Sequence, residues 1–352
     1  MGPFGGSDRV NGDASRRAIA SPFHHSLYWQ SNKTGRLAVS IRPHCMMASV
    51  FATLLAAAAA AQELPYVQHE NIVYGEEHGV GLLMDVFTPT GPKNGLAIVD
   101  VISGAWHSDR SKIRDHTRAL TFDILCRKGY TVFAIRPGSV SKFSVPEMIA
   151  HLNLGIRWVK EHAGQYAIDP DRLGMMGASA GGHLACLAAV TAVGKPADGA
   201  PAKSDGENAK ESPPAPDTCV KAVAVFFPPT DFLDFGGKKV EARAAEGFGA
   251  LARRLAFTDG LTDETDEEVT EHLTQISPAR LVTPEAPPFL LIHGDADPVV
   301  PLQQSEVMVA ALKKAGVRAE LIVKKGGGHP WLTLPLEVKV LADWFDKELT
   351  VK

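Results

Sequence analysis

Apolar runs of two lengths alternate along the chain from residue 70 to its end. Short and nearly continuous runs, such as LAIVDVIS (Leu96–Ser103) and KAVAVFFPP (Lys221–Pro229), are typical of strands buried on both faces of a sheet. Longer segments such as Val145–Ala163 repeat their apolar residues at the three-to-four-residue spacing of a helix. Strands separated by helices indicate βαβ units. We therefore predict an α/β fold with a mainly parallel eight-stranded sheet and helices on both faces.

The positions of the elements follow from the same pattern. NIVYGEE and LLMDVFTP, joined by a turn at His78–Gly81, are expected to open the sheet as an antiparallel pair. The other strands are predicted at LAIVDVIS, YTVFAIRP, DRLGMMG, KAVAVFFPP, PFLLIHG and AELIVKK. Helices are predicted at Ile113–Lys128, Val145–Ala163, Ala180–Thr191, Leu302–Ala315 and Leu334–Leu349.

The start of the chain has a different character. It is rich in Gly, Ser, Arg and His and shows no apolar period. Arg36 and Arg42 precede a short apolar stretch, Ala48–Ala60, which ends in small residues before Gln62. A positive region, a short apolar run and a small-residue cleavage site are the outline of a secretory signal. We expect a leader with a signal peptide in residues 1–61 and an exported protein, periplasmic or secreted.

Two other interpretations of this leader stay open. The alanine-rich stretch also fits a first helix of the fold, or an upstream extension from a misplaced start codon. With export, the true start would be Met46 or Met47 and the mature protein would begin near Gln62. We expect the α/β domain at residues 62–352, in a chain long enough for one large α/β domain or two ordinary ones.

Two segments interrupt the alternation of strands and helices. Residues 194–217 are rich in Pro, Gly, Ala and charge and lack apolar anchors, so we predict a mobile insertion. Residues 233–283 contain the acidic stretch TDETDEEVTEH, which favours a solvated charged face. The alternative for that second segment is a small cap that borders a substrate pocket.

Composition excludes several classes of protein. The formal net charge is −4, with 45% hydrophobic and 22% charged residues, so no basic field is available for nucleic acid. Residues 62–352 contain no apolar run of 18 or more residues, which argues against a membrane span. No HxH or HExxH pattern indicates a metal, and no cofactor is implied. Cys126 and Cys186 lie in apolar helical contexts and are expected to be buried.

The stretch LGMMGASAGGHLA holds the first candidate catalytic residue. Ser179 stands between Gly177 and Gly181, after a predicted strand and before a predicted helix. A serine nucleophile on a tight strand–turn–helix crowds the residues two before and two after it, so glycine fits at both positions. The following helix N-terminus offers free N–H groups to an oxyanion.

The partners that such a serine needs follow later in the chain, in the order Ser, acid, His. FLLIHGDADPVVP places Asp295 and Asp297 after a buried strand, and KKGGGHPW places His329 in a glycine-rich loop after the next one. Because loops at the carboxyl ends of parallel strands lie at one edge of a sheet, we expect these side chains to reach Ser179.

With these motifs the sequence resembles the α/β-hydrolase-fold serine esterases, the broad acetyl-esterase, feruloyl-esterase and dienelactone-hydrolase-like group. It resembles prolyl-oligopeptidase-type peptidases more distantly. The matching pieces include IDPDRLGMMGASAGGHLA, SPARLVTPEAPPFLLIHGDADPVVP and GGGHPW. The resemblance implies a catalytic triad of Ser179, Asp297 and His329, with Asp295 as the lesser candidate for the acid.

One loop departs from the pattern of these esterases. Where they carry HGGGW, this chain has ISGAW at residues 102–106, here called the oxyanion loop. Backbone N–H groups bind the oxyanion in such loops, so Gly104 or Ala105, together with Ala180, are the expected donors. The missing glycines predict a stiffer loop and a smaller pocket.

Three further histidines are expected to be structural. His183 follows the nucleophile motif and is predicted to occupy a packed position of its helix. His293 is predicted to orient the loop of the acid. His151 stands where related helices often carry an acidic residue, and we interpret it as a change on the helix surface.

The expected function is that of a secreted serine hydrolase that cleaves carboxylic esters through an acyl-enzyme, acting on a small-molecule or polysaccharide-linked ester. A prolyl-oligopeptidase-like peptidase is the alternative within the same mechanism. A non-catalytic binding protein with the same fold is the alternative outside it. The sequence selects neither the ester nor an oligomeric state.

Overall fold

Eight strands form one sheet in the order β1-β2-β4-β3-β5-β6-β7-β8 in the computed structural model, which describes residues 63–192, 216–258, 260–261 and 263–350. The pairs β1–β2 and β2–β4 are antiparallel, and the other pairs are parallel. The predicted mainly parallel, eight-stranded α/β sheet is therefore confirmed. The strands are Tyr66–Glu77 (β1), Val80–Pro89 (β2), Ala97–Val101 (β3), Thr131–Arg136 (β4), Leu173–Ala178 (β5), Ala222–Phe226 (β6), Phe289–Gly294 (β7) and Ala319–Lys324 (β8).

Helices cover both faces of the sheet, as predicted. On one face, α1, α2 and α9 contribute Ile113, Phe122 and Phe345 to a buried apolar cluster. On the other face, the remaining helices enclose a larger cluster that includes Leu152 and Leu184. The helices are Arg110–Arg118 (α1), Thr121–Arg127 (α2), Val145–Glu161 (α3), Ala163–Tyr166 (α4), Ala180–Val190 (α5), Gly247–Ala256 (α6), Asp266–Gln275 (α7), Gln303–Lys314 (α8) and Leu334–Thr350 (α9), with a 3-10 turn at Pro278–Arg280.

The single helix predicted at Ile113–Lys128 is wrong, because the structure divides it into α1 and α2. Leu120 adopts a left-handed conformation with φ of 57° and is 48% exposed. In one continuous helix it would share the buried face of Ile113, seven residues earlier. The break exposes Leu120 instead and turns Phe122 and Leu125 into the core, where both are fully buried.

His151 is also placed differently from our interpretation. It is 3% exposed, so it is not on the surface of α3. Its ring donates Nδ1–H to the Pro137 carbonyl at 2.8 Å and packs edge-on against Phe143. The histidine therefore fixes the loop that follows β4, a role that an acidic side chain without a donor would not fill.

Parts of the predicted organisation lie outside the described residues. The leader at residues 1–61 does, and so does the predicted insertion up to residue 215. The insertion's last residue, Asp217, is buried, and its carboxylate accepts a hydrogen bond from Lys160 Nζ at 2.7 Å. None of the helices that the structure describes is both long and apolar enough to cross a membrane.

Candidate active site

The turn between β5 and α5 places Ser179 at the carboxyl edge of the sheet. Its backbone has φ of 53° and ψ of −121°, a strained conformation for a residue with a side chain. A Cβ atom on Gly177 would collide with the Gly181 carbonyl, and a Cβ atom on Gly181 would collide with the Val101 carbonyl. Both glycines are therefore required by the close approach of the backbone, which is the local reason for the G-x-S-x-G spacing.

His329 and Asp297 lie within hydrogen-bond distance of each other and of this serine. His329 Nε2 is 2.9 Å from Ser179 Oγ, and His329 Nδ1 is 2.6 Å from Asp297 Oδ2. The loops after β7 and β8 that carry them are joined by a hydrogen bond from the Ala296 N–H to the Gly327 carbonyl at 3.0 Å. The structure thus assembles the three side chains that the motifs singled out.

The two candidate acids have different surroundings. The Asp297 side chain is fully buried, and its Oδ1 accepts the N–H groups of Val299 and Val300 at 2.8 and 2.9 Å. Asp295 is exposed, and its carboxylate accepts the Gly326 N–H in the loop after β8. Asp297 is therefore held with its second oxygen toward His329, whereas Asp295 ties two loops together.

His293 supports the acid from behind. Its ring is fully buried, with Nε2 2.9 Å from the Val300 carbonyl and 3.5 Å from Asp297 Oδ2. Burial lowers the pKa of His293, against the opposing effects of the Val300 carbonyl and Asp297. The neutral ring donates Nε2–H to Val300 and accepts from the Ser305 hydroxyl at 2.7 Å. It thereby holds the acid loop, in agreement with the predicted role.

Of the two donors expected in the oxyanion loop, Gly104 and Ala105, the structure leaves the Ala105 N–H open. The Gly104 N–H already donates to the His107 carbonyl at 2.9 Å, so Gly104 is not available as a donor in this arrangement. The N–H groups of Ala105 and Ala180 have no hydrogen-bond partner among the described residues. Ala105 and Trp106 both have left-handed φ values, 47° and 56°. A hydrogen bond from the Gly181 N–H to the Ser103 carbonyl, 3.1 Å, joins the loop to the start of α5.

A cavity of about 780 Å³ opens onto Ser179 and His329. Most of its wall is apolar, and residues 233–283, the segment for which a cap was the alternative, supply Phe235, Phe248 and Leu251. The loop after β8 and the start of α9 contribute further apolar residues, including Trp331 and Val338.

Sequence reasoning did not identify His116, which belongs to one wall of the cavity, or its pairing with Asp100. His116 on α1 lines this cavity, and its Nδ1 lies 2.7 Å from Oδ2 of Asp100, which is fully buried on β3. A signal existed in LAIVDVIS, because an aspartate inside an otherwise apolar strand needs a buried partner. The sequence does not indicate which residue is the partner of Asp100.

The structure gives no indication of a metal centre in the part of the chain it covers. No group of three or more His, Cys, Asp or Glu side chains among those residues is arranged to hold a metal ion.

Two curated proteins named as esterases are similar in sequence to this chain. Esterase LipC of Mycobacterium tuberculosis (strain ATCC 25618 / H37Rv) is 27% identical over 274 residues, which are 75% of this chain and 60% of LipC. A probable isoprenylcysteine alpha-carbonyl methylesterase, ICME, of Oryza sativa subsp. japonica is 25% identical over 264 residues, or 74% of this chain and 57% of that protein. This chain thus spans less than two thirds of the length of either relative.

Solved structures and a family model extend the comparison. A structure titled as the truncated form of a carbohydrate esterase from gut microbiota superposes with a TM-score of 0.63 at 25% identity, covering 82% of this chain and 99% of that one. The family model described as BD-FAE matches residues 84–312, which include Ser179 and Asp297. The resemblance to α/β-hydrolase esterases inferred from the motifs is confirmed. The chain belongs to the BD-FAE family.

Proposed function

We propose that this protein hydrolyses carboxylic esters through an acyl-enzyme on Ser179. The observation that carries the proposal is the continuous set of hydrogen bonds from Ser179 Oγ through the His329 ring to Asp297, at 2.9 and 2.6 Å. Serine is a weak nucleophile at neutral pH and needs such a base, which in turn needs an orienting acid. A binding protein of the same fold has no use for all three.

Each residue has a defined part in the proposed reaction. His329 Nε2 takes the hydroxyl proton as Ser179 Oγ attacks the ester carbonyl, and Asp297 stabilises the resulting imidazolium. The developing oxyanion lies against the N–H groups of Ala105 and Ala180. His329 then gives its proton to the departing alcohol. Water repeats the sequence on the acyl-enzyme and releases the acid.

The cavity supports an ester of moderate size. A volume of about 780 Å³ accommodates a small or aryl ester, or the ester-bearing unit at the edge of a polysaccharide. The relatives named as esterases and the carbohydrate esterase of similar fold favour this class over peptides. We also propose that the protein is exported, on the strength of the apolar stretch after Arg42.

Labelling with a fluorophosphonate probe tests the mechanism directly. We expect the label on Ser179, located by mass spectrometry of the digested protein, and hydrolysis of short-chain p-nitrophenyl esters. Ser179→Ala should abolish labelling and lower kcat by a factor on the order of 10⁵, with the fold retained. A protein that takes up no label and cleaves no ester would be a binding protein, whereas faster cleavage of prolyl peptides would favour the peptidase.

The two aspartates provide a matched pair for the same assay. Asp297→Asn should lower kcat by a factor on the order of 10⁴. The amide neither stabilises the imidazolium nor holds the neutral ring of His329 in the tautomer that the reaction needs. Asp295→Asn changes the same functional group two residues away and should leave kcat within about threefold. A larger loss at Asp295 than at Asp297 would reverse the assignment of the acid.

A further inference from the structure

The charged side chains that line the cavity are gathered on one helix. Among the described residues, all the lysine, arginine and aspartate side chains in the cavity wall belong to α1: Lys112, Asp115 and Arg118. His116 lies between them on the same helix. Asp115 lies 3.8 Å from Lys112 Nζ and 3.2 Å from Arg118 Nη1, so one carboxylate is shared by two cations. The wall therefore carries a surplus of one positive charge before His116 is counted.

His116 is held by a carboxylate that belongs to the sheet. Asp100 is fully buried in the middle of β3, and its Oδ2 accepts the Nδ1–H of His116 at 2.7 Å. This bond fixes the ring and leaves Nε2 as the free edge of the imidazole. The His116 side chain is 12% exposed, and Nε2 has no hydrogen-bond partner in the part of the chain that the structure describes.

The position of this ring relates it to the nucleophile. Asp100 pairs with Met176 in the register of β3 and β5, three residues before Ser179. Met176 and Ser179 line the same cavity as His116. The ring thus stands over the end of the strand that carries the reactive serine, on the face of the sheet covered by α1 and α9.

The surroundings favour the charged form of the ring. Burial lowers the pKa of His116, but the negative charge of Asp100, its hydrogen bond and the charge of Asp115 outweigh burial, so the pKa is raised above its ordinary value. A pair that served the fold alone would have its polar atoms satisfied. Here Nε2 is open, and the second oxygen of Asp100 is buried with no partner among the described residues.

We propose that His116, positioned by Asp100 and assisted by Lys112, binds a carboxylate on the substrate, so that this esterase prefers esters that carry a negative charge. The inference rests on the proposed ester hydrolysis and adds a substrate class to it. The imidazolium donates Nε2–H to one carboxylate oxygen, a charge-assisted hydrogen bond. The Lys112 stem lies against Gly104 in the oxyanion loop, so its ammonium is close to the place where the ester carbonyl binds.

Two matched substrate pairs test the preference. On the acyl side, p-nitrophenyl hydrogen adipate is compared with p-nitrophenyl hexanoate. On the alcohol side, 4-acetoxybenzoate is compared with 4-acetoxybenzamide. We expect kcat/KM to favour the charged member by about tenfold in at least one pair, and the pair that responds tells which side of the ester faces α1.

His116→Gln is the variant that removes the charge while keeping a donor toward Asp100. We expect it to lower the preference in the responding pair to the level that Lys112 alone sustains, through a loss of kcat/KM on the charged ester. Arg114→Gln is the matched control, because Arg114 is an exposed cation on α1 outside the cavity wall. It should leave the preference unchanged.

The pH dependence of the preference gives a readout that a structural role would not move. The ratio of kcat/KM for the two members of a pair removes any pH dependence that both members share. Among the described residues, the charged groups that pair with His116 or line the cavity with it are Asp100 on β3 and Lys112, Asp115 and Arg118 on α1. As pH rises and His116 loses its proton, the ratio should decline toward the level that Lys112 alone sustains, and His116→Gln should show no such decline.

The preference for charged esters can be refuted without refuting ester hydrolysis. Equal rates for both members of both pairs, with active enzyme, would overturn it and leave ester hydrolysis intact. An equal loss on the charged and neutral esters in His116→Gln would also overturn it. If neither ester is cleaved, calorimetric binding of 4-acetoxybenzoate and its amide to Ser179→Ala decides: tighter binding of the carboxylate that is lost with His116→Gln supports the site, and equal binding refutes it.

Discussion

The indole N–H of Trp106 donates a hydrogen bond to Nδ1 of His183 at 2.9 Å, and this bond fastens the oxyanion loop to α5. Both side chains are buried, and His183 in turn donates Nε2–H to the Ile276 carbonyl at 2.8 Å. One histidine thus connects the loop, the helix after the nucleophile and the chain after α7. The prediction that His183 packs inside the fold is confirmed.

Trp106→Phe should uncouple the loop from the helix. Phenylalanine keeps the ring but leaves Nδ1 of His183 buried without a donor, which costs about 1–3 kcal/mol of unfolding free energy. We expect kcat to fall about tenfold or more with a smaller change in KM, because the N–H of Ala105 is no longer held for the transition state. Steady-state kinetics and denaturant unfolding measure the two effects.

A second tryptophan on α9 serves as the control for this variant. Trp344 is buried far along the helix, where its N–H lies 3.4 Å from Glu320. Trp344→Phe should alter stability but leave kcat as in wild type. A normal kcat in Trp106→Phe would mean that the loop holds its conformation without His183.

His183 also makes stability depend on pH. Burial lowers its pKa to about 4, against the Ile276 carbonyl, which raises it. An unfolded histidine titrates near 6.5, so between about pH 6.5 and pH 4 the unfolded chain takes up a proton here that the native chain does not. The unfolding free energy should therefore fall as pH drops through this window, by a total on the order of 3 kcal/mol from this residue.

His183→Gln isolates that contribution. The amide oxygen can accept from Trp106 and the amide nitrogen can donate to Ile276, so both bonds have a replacement that does not titrate. The slope of unfolding free energy against pH, from denaturant titrations at pH 4 to 7, should become shallower than in wild type. It should not vanish, because burial also lowers the pKa of His293. An unchanged slope would contradict the assignment to His183.

Gly177→Ala should disrupt the nucleophile turn. The added Cβ would collide with the Gly181 carbonyl, which is backbone and has no room to shift. We expect a loss of about 3 kcal/mol or more in unfolding free energy and a collapse of fluorophosphonate labelling. Gly164→Ala in α4 is the control, since its Cβ would meet nothing within 4 Å and helix propensity favours alanine. That variant should be as stable as wild type and fully labelled.

Lys160→Met should destabilise the fold by about 3–5 kcal/mol, because it leaves the buried Asp217 carboxylate without its cation. Both side chains of this pair are only 5% exposed. Arg127→Met breaks the more exposed pair with Asp123 on α2 and should cost less than about 1 kcal/mol. Urea unfolding of the two variants compares them, and similar small losses would contradict the predicted cost of breaking the buried ion pair.

The elements that the sequence predicts well are those with a strong local signature. Continuous apolar runs predict the buried strands directly. Two glycines, which the close approach of the backbone requires, predict the turn at Ser179. The approach of Asp297 and His329 to Ser179 followed from the topology of a parallel sheet, because their strands end at the same edge. Each of these inferences depends on residues close to one another in sequence or on a general rule of topology.

The features that could not be predicted depend on backbone angles and on long-range pairing. The left-handed turn at Leu120 contains no glycine or proline that would predict it from the sequence. The loss of Gly104 as a donor depends on how Ala105 and Trp106 bend the loop back to His107. The partner of Asp100 depends on the orientation of α1 over the sheet, which places His116 rather than another residue of the helix at its carboxylate.

The pairing of Val101 in β3 with Gly177 in β5 has a consequence for how this protein can diversify. The main chain of two neighbouring strands sets the spacing between the start of the oxyanion loop and the nucleophile turn, so that spacing does not depend on the side chains that α1, α6 and α9 place in the cavity. Mutations on α1, α6 or the start of α9 can alter the preferred ester one residue at a time while the reacting atoms keep their places. Substitutions can therefore change which ester is preferred without changing the geometry of the reacting groups.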